Sequence, residues 1–279
     1  KRARPGEILA ITFTNRAATE LRERVRSFLV EQGDYDGAVA IGAARIGTVN
    51  GVCGGLLQRF AFEAGLPTEQ RVLDEARASQ LLRETIDTVI AGHSLTELLQ
   101  VARRLSLDSA PQDPLPPWQK ALGRLVDQAR ANAIDADALR GAGGLNAANL
   151  LAHFPAPVAG DLDARLQQAI AAALPEVRTA LEQTRQKNVG EYLEQRHAAE
   201  RSLQDGTLTW ALWNKLTAAA PAKLRTVAEP IIEAAGLYTA YPRLRDDLTR
   251  YLELMYALAA DSLDAYAIAK RQIGALDFT

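Results

Sequence analysis

The residues best suited to chemistry near the start of this chain are Thr12, Phe13, Thr14, Asn15 and Arg16, which end an apolar run and open a helical pattern. Hydroxyl and amide groups at a strand-to-helix turn can hydrogen-bond a phosphate. The helix N-terminus adds unpaired N–H groups and a positive dipole end, and an aromatic ring can stack on a base. Single-stranded DNA offers all of these partners together. The same residues have a plainer use, with Phe13 as core and Thr14 and Asn15 as helix caps. Spacing alone leaves both readings open. A second polar turn follows at Thr48 and Asn50, where an amide can donate to a phosphate without carrying charge.

The elements that must position these residues are legible from periodicity. Residues 8–13 are an apolar run of strand length, expected to be buried on both faces of a parallel sheet. From Asn15 the period changes: Ala17, Ala18, Leu21, Val25, Phe28 and Leu29 fall at helical spacing, Glu20 precedes Arg24 by four, and Gly33 can cap the end. Val39–Ile41 and Ile46–Val49 are short strand candidates. Val52, Leu56, Leu57, Phe60 and Ala64 then make a helical stripe ending at Gly65, with Leu66 and Pro67 behind it. These units supply half an α/β domain, too few strands for a self-sufficient sheet.

Beyond Asp74 the strand signal fades and helix follows helix. Asp74 can cap a helix carrying Leu81, Leu82, Thr85, Ile86 and Val89 that stops at Gly92, and Ser94 with Glu97 reads as a capping box. Residues 109–117 cannot be helical inside. Trp118, Leu122 and Val126 restart the period, and Gly141–Gly144 and Phe154–Gly160 read as breaks around a weak segment. Helices are expected over 161–186, kinked or interrupted at Pro175, then near 191–204, from Trp210 and Trp213 to about residue 220, over 226–235 and over 243–272. Trp118, Trp210 and Trp213 are expected in the core. Arg103, Arg104, Arg243, Arg245, Lys270 and Arg271 are expected on solvated faces, and Lys215, Lys223 and Arg225 join them as candidates for duplex contact.

Composition narrows the classes. With 279 residues, 48% of them hydrophobic, the chain has ample core, and a net charge of −2 argues against coating nucleic acid by bulk electrostatics, so any DNA contact must be local. Cys53 has no partner for an internal disulfide and is read as a small buried residue rather than a nucleophile. His93, His153 and His197 are too scattered for a metal site. No apolar run approaches the roughly 20 residues of a membrane span, and Lys1–Gly6 reads as a loop rather than a leader. A reducing, cytoplasmic setting without membrane contact is expected.

Thr12 to Arg24 resembles motif Ia of UvrD-like superfamily-one DNA helicases, Thr-Phe-Thr-Asn-(Lys/Arg)-Ala-Ala-x-Glu-(Met/Leu)-x-x-Arg, at every defined position. Thr48, Cys53 and Leu57 match a second family pattern, Thr-(Ile/Phe)-His-(Ser/Thr)-Phe-Cys-x-x-(Leu/Ile)-Leu, although Asn50, Gly51 and Val52 depart from it. Phe62–Pro67, Val72–Ala76 and Leu276–Thr279 resemble the RecB/AddA branch. Val72-Leu73-Asp74-Glu75 imitates a Walker B strand, but only two apolar residues precede Asp74 and capping explains the acid better. The resemblance implies a partial P-loop NTPase (RecA-like) subdomain 1A over residues 1–70, an all-α inserted subdomain 1B over 71–270, and a return segment at 271–279, mostly helical overall. It also implies a piece of a 3′-to-5′ helicase, of the helicase-nuclease type, lying between Walker A and Walker B. The longer parent would use ATP and Mg²⁺, act in double-strand break repair, and take single-stranded and duplex DNA and a partner subunit. The piece itself would bind no cofactor and hydrolyse no ATP. Family DNA contacts map to Thr12, Phe13, Thr14, Asn15, Arg16, Thr48 and Asn50. Two rivals stand beside this reading: a non-catalytic helicase-like scaffold, favoured by Asn50 in place of His, and a helical interaction domain whose first segment matches by chance.

Overall fold

The structure, a computed structural model, describes residues 3–63, 65, 71–184 and 187–277. It is mostly helical, with two small parallel sheets, and divides into two units: Lys1–Glu75 with Lys270–Phe278, and Ala76–Ala269.

In the first unit β1 (Leu9–Thr12) and β2 (Arg45–Thr48) pair in parallel, with Leu9 opposite Arg45 and Thr12 opposite Thr48. Parallel strands need a crossover. It is made by α1 (Asn15–Glu31) and α2 (Tyr35–Ala40), and α3 (Val49–Arg59) follows β2. α1 starts where its period does because the Thr14 hydroxyl accepts from the Ala17 N–H at 3.1 Å. It ends on Gly33 at φ 74°, where the Gly33 N–H donates to Val30 O and the Asp34 N–H to Leu29 O, the paired bonds that close a helix C-terminus. Glu20 and Arg24 meet at 2.6 Å as their spacing requires. Ile41, Ala44 and Ile46 are buried together, and Ile8, Ala10, Leu21 and Val25 pack against them.

Several expectations for this unit need correction. β1 is covered on one side only: Ala10 faces the core, while Leu9 is 53% and Ile11 50% exposed. Residues 39–41 are not a strand, because Asp34 accepts from the Gly37 N–H at 2.8 Å and caps α2, which carries the apolar run into a 3₁₀ turn. α3 stops at Arg59, earlier than its stripe suggests; Gly65 does take φ +63°, and Ala64, Leu66 and Pro67 lie outside the described residues. Phe28 is exposed on α1, and so is Cys53 on α3, where Val52 turns inward instead. A second parallel pair joins β3 (Arg71–Val72) to β4 (Ala275–Leu276). Asp74 stands directly before α4 (Glu75–Gly92), the position of a cap rather than of a Walker B carboxylate. Of the segment 276–279, Phe278 and Thr279 lie outside the described residues.

The second unit is an array of helices that continues α4 through α5 (Thr96–Arg104), α6 (Pro117–Ala131), α7 (Ala136–Leu151), α8 (Leu162–Thr184), α9 (Lys187–Gln204), α10 (Trp210–Lys215), α11 (Arg225–Gly236) and α12 (Pro242–Gln272). One core gathers Leu82, Leu98, Trp118, Leu122, Val126 and Met255, and another Leu166, Ile170, Trp213, Leu216 and Ile231. All three tryptophans are buried. The Trp210 indole N–H donates to Asp247 Oδ2 at 2.8 Å, and Arg104 grips the same carboxylate through Nε and Nη2 at 2.6–3.0 Å, so Arg104 is a half-buried, paired arginine rather than a free one in solvent. Arg243, also expected in solvent, binds Asp163 at 2.5 Å and lies over the Trp210 ring.

Gly141–Gly144 does not break the chain. α7 runs through it, because a Cβ on Gly143 would stand 3.1 Å from Glu253 Cα and 3.2 Å from Tyr256 Cβ, so the glycine lets α7 and α12 touch backbone to backbone. The helix over 162–184 likewise continues through Pro175. The Ser94–Glu97 capping box is not formed. Leu95 occupies the N-cap position, and Glu97 instead binds Arg250 at 2.5 and 2.6 Å.

Candidate nucleic-acid interface

β1 and β2 end level with each other, Thr12 beside Thr48, and each chain then turns into a helix capped by a threonine. Thr14 caps α1; Thr48 caps α3, accepting from the Gly51 N–H at 3.1 Å. The Thr12 hydroxyl donates to the Thr14 carbonyl at 3.0 Å, with the Gly47 carbonyl at 3.4 Å, and so ties the first turn to the neighbouring strand. Two helix N-termini thereby open on the C-terminal edge of a parallel sheet, the edge at which open α/β folds bind ligands.

Between them lies an open cleft of about 570 Å³ whose walls include Asn15, Thr19 and Arg22 of α1, Arg45 and Thr48 of β2, and Gly51 of α3. Of the seven residues singled out from sequence, Asn15 and Thr48 line this cleft, while Thr12 and Thr14 fix the turn beside it. Phe13, Arg16 and Asn50 are exposed outside the lining, and Phe13 is 96% exposed. A phenyl ring that open to water at a strand end has no packing role within the described residues.

Sequence reasoning missed Arg22 and Arg45. Arg22 was findable, since it is seven residues after Asn15 and three after Thr19 and therefore shares their helix face. Its Nη2 donates to the Ile46 carbonyl at 2.6 Å, which steadies the guanidinium against β2. Arg45 gave no comparable signal, because its place on the cleft depends on the pairing of strands 36 residues apart. Among the described residues no carboxylate, imidazole or thiol lines the cleft, so the walls described offer hydrogen bonds and positive charge rather than acid–base chemistry.

The residues present do not fit a nucleotide site. The sequence has no Gly-x-x-x-x-Gly-Lys-(Ser/Thr) run, and the acidic pair Asp74–Glu75 follows a two-residue strand and opens a helix. No group of three metal-ligating side chains occurs among the described residues. Two of the three histidines are held elsewhere: His93 lies between the Val89 carbonyl at 2.8 Å and Asp261 at 3.0 Å, and His197 lies beside Arg178 and Glu200. No described helix is long and apolar enough to cross a membrane.

Similar stretches occur in the ATP-dependent DNA helicase SRS2 of Saccharomyces cerevisiae, at 34% identity over 85 residues, and in DNA helicase II of Haemophilus influenzae, at 31% over 81 residues. Another occurs in an ATP-dependent helicase/nuclease protein of Pelotomaculum thermopropionicum, at 34% over 90 residues. The matched part is 30%, 29% and 29% of this chain but spans only 7%, 11% and 7% of those relatives' lengths. The family model for the UvrD/REP helicase N-terminal domain matches residues 1–225, most of the chain and well past the turn-and-cleft region. A chance resemblance of the first segment is thereby excluded, and the chain belongs to the UvrD/REP helicase N-terminal domain family.

Proposed function

We propose that this chain is the part of an ATP-dependent DNA helicase that holds a single strand at the C-terminal edge of its sheet, with Phe13 stacking on a base and Thr12, Thr14, Asn15, Arg16, Thr48 and Asn50 meeting the sugar-phosphate backbone. One observation carries the reading: Phe13 is 96% exposed just past the end of β1, next to a cleft that bears two arginines and, among the described residues, no acid. A base offers a flat, sequence-tolerant partner for an aromatic face held open at a strand end.

In this reading Lys1–Glu75 with Lys270–Phe278 belongs to subdomain 1A and the helices between to subdomain 1B. The longer protein is of the RecB/AddA type, translocates 3′ to 5′, works with a partner subunit in double-strand break repair, and acts in the cytoplasm. It draws on ATP and Mg²⁺ held by residues outside this chain, since those present do not fit a nucleotide. The chain alone therefore turns over no ATP, and Mg²⁺-dependent hydrolysis by the pure chain would contradict that. The scaffold alternative keeps one specific support, the uncharged Asn50 on the first turn of α3.

The test is titration of a fluorescent oligo-dT with the chain and its Phe13→Ala variant. Loss of one stacked base costs about 1–3 kcal/mol, or roughly 5- to 150-fold in Kd. Equal affinity of the two proteins would refute the stacking role.

A further inference from the structure

We infer that Arg22 and Arg45 form a phosphate grip inside the cleft between α1 and α3, a contact to the strand backbone distinct from the turn residues; this rests on the single-strand reading above. Several arginines of the molecule are paired with acids: Arg24 with Glu20, Arg104 with Asp247, Arg140 with Asp261, Arg243 with Asp163 and Arg250 with Glu97. Arg22 and Arg45 are not among them, and they share one cleft. Neither makes an ion pair with a carboxylate among the described residues, and the cleft they line has no acidic wall, although acids outnumber bases 34 to 32 in the chain.

Two half-buried guanidinium groups without a counter-charge in one cleft ask for an anion from outside. Arg22 commits one N–H to the Ile46 carbonyl, which fixes its plane and leaves the other donors of the fork available for phosphate oxygens. Arg45 opens β2 and is anchored by its own backbone, its N–H donating to the Ile8 carbonyl at 2.9 Å. At 570 Å³ the cleft has room for a nucleotide's phosphate and sugar. Phe13 on the rim and two arginines within divide the labour between base face and backbone.

Counter-ion release gives a readout that stacking does not move. Each phosphate contact contributes about 0.7 to the slope of log K against log salt for a single strand. Oligo-dT binding is measured across a salt series for the chain, Arg45→Gln, Arg22→Gln and Arg45→Lys, with Arg24→Gln as a control on the same helix. The expected result is a slope reduced by about 0.7 in each Gln variant and by about 1.4 in the double variant, with an unchanged slope in Arg45→Lys and Arg24→Gln. If Arg22→Gln disturbs β2, Arg45→Gln with its Lys rescue carries the test. Salt-dependent binding by the unaltered chain with no slope change in Arg45→Gln would overturn this inference and leave the single-strand reading standing. No binding of oligo-dT by the unaltered chain would overturn both.

Discussion

Replacing Gly141 and Gly143 by alanine, one at a time, should move stability in opposite directions. Glycine inside a helix costs about 0.5–1 kcal/mol relative to alanine, so both substitutions gain that much from the backbone. At Gly141 nothing lies within 4 Å of the new methyl, and the gain stands. At Gly143 the methyl meets Glu253 Cα at 3.1 Å, Tyr256 Cβ at 3.2 Å and the Leu252 carbonyl at 3.4 Å. Two of those atoms are backbone of α12, which cannot rotate aside, so α7 and α12 must part. Overpacking of this kind costs about 1–3 kcal/mol and outweighs the gain. For a unit of this size 1 kcal/mol moves Tm by about 2–4 °C. Thermal unfolding followed by far-UV circular dichroism should show Gly141→Ala a few degrees above the parent and Gly143→Ala at or below it. The gap between the two should be about 2–12 °C. Equal rises in both variants would show that a methyl at residue 143 does not come as close as 3.1 Å to the α12 backbone and would remove the reason for the glycine.

Asp247→Ala should be among the more damaging substitutions in the helical unit, because it strips the acceptor from the Trp210 indole and the counter-charge from the half-buried Arg104; about 1–3 kcal/mol is expected, read as a lower Tm with a red-shifted tryptophan emission. The Glu97 carboxyl is held below its ordinary value of 4.5, chiefly by hydrogen bonds from Arg250. A depressed folded value means that the stabilisation is complete above the ordinary value and is lost as pH falls through the folded one. Glu97→Gln should therefore lower Tm slightly on the neutral side, where the pair is complete, and converge with the parent as pH falls well below about 4.5, so that the variant loses less Tm on acidification; a neutral-side Tm equal to the parent's would show that the pair is not formed in solution.

Local pattern made the strand-turn-helix at residues 9–31 readable, because the period switches at Asn15, just after Thr14, which follows the strand's end at Thr12 by two residues and caps the helix. Helices with a clear apolar stripe, such as α4, α6 and α12, were readable for the same reason. What local pattern misjudged was settled by partners distant in sequence. Glu97 looks like half of a capping box until Arg250, 153 residues away, claims it. Gly141–Gly144 looks like a loop until α12 is laid against it. Val39–Ile41 has strand composition, but Asp34 caps a helix first. At the candidate site the turn residues were legible from their types and spacing. The cleft was not, because Arg45 reaches it only through the parallel pairing of β2 with β1.

The central claim is that a single strand lies across the ends of β1 and β2. Photocrosslinking with oligo-dT carrying 5-iododeoxyuridine, followed by tryptic digestion and mass spectrometry, tests it most directly. The account expects the main adduct on the peptide ending at Arg16, at Phe13, with the yield suppressed by unlabelled oligo-dT. Adducts confined to the helical unit, with none at residues 12–16 or 48–50, would contradict it.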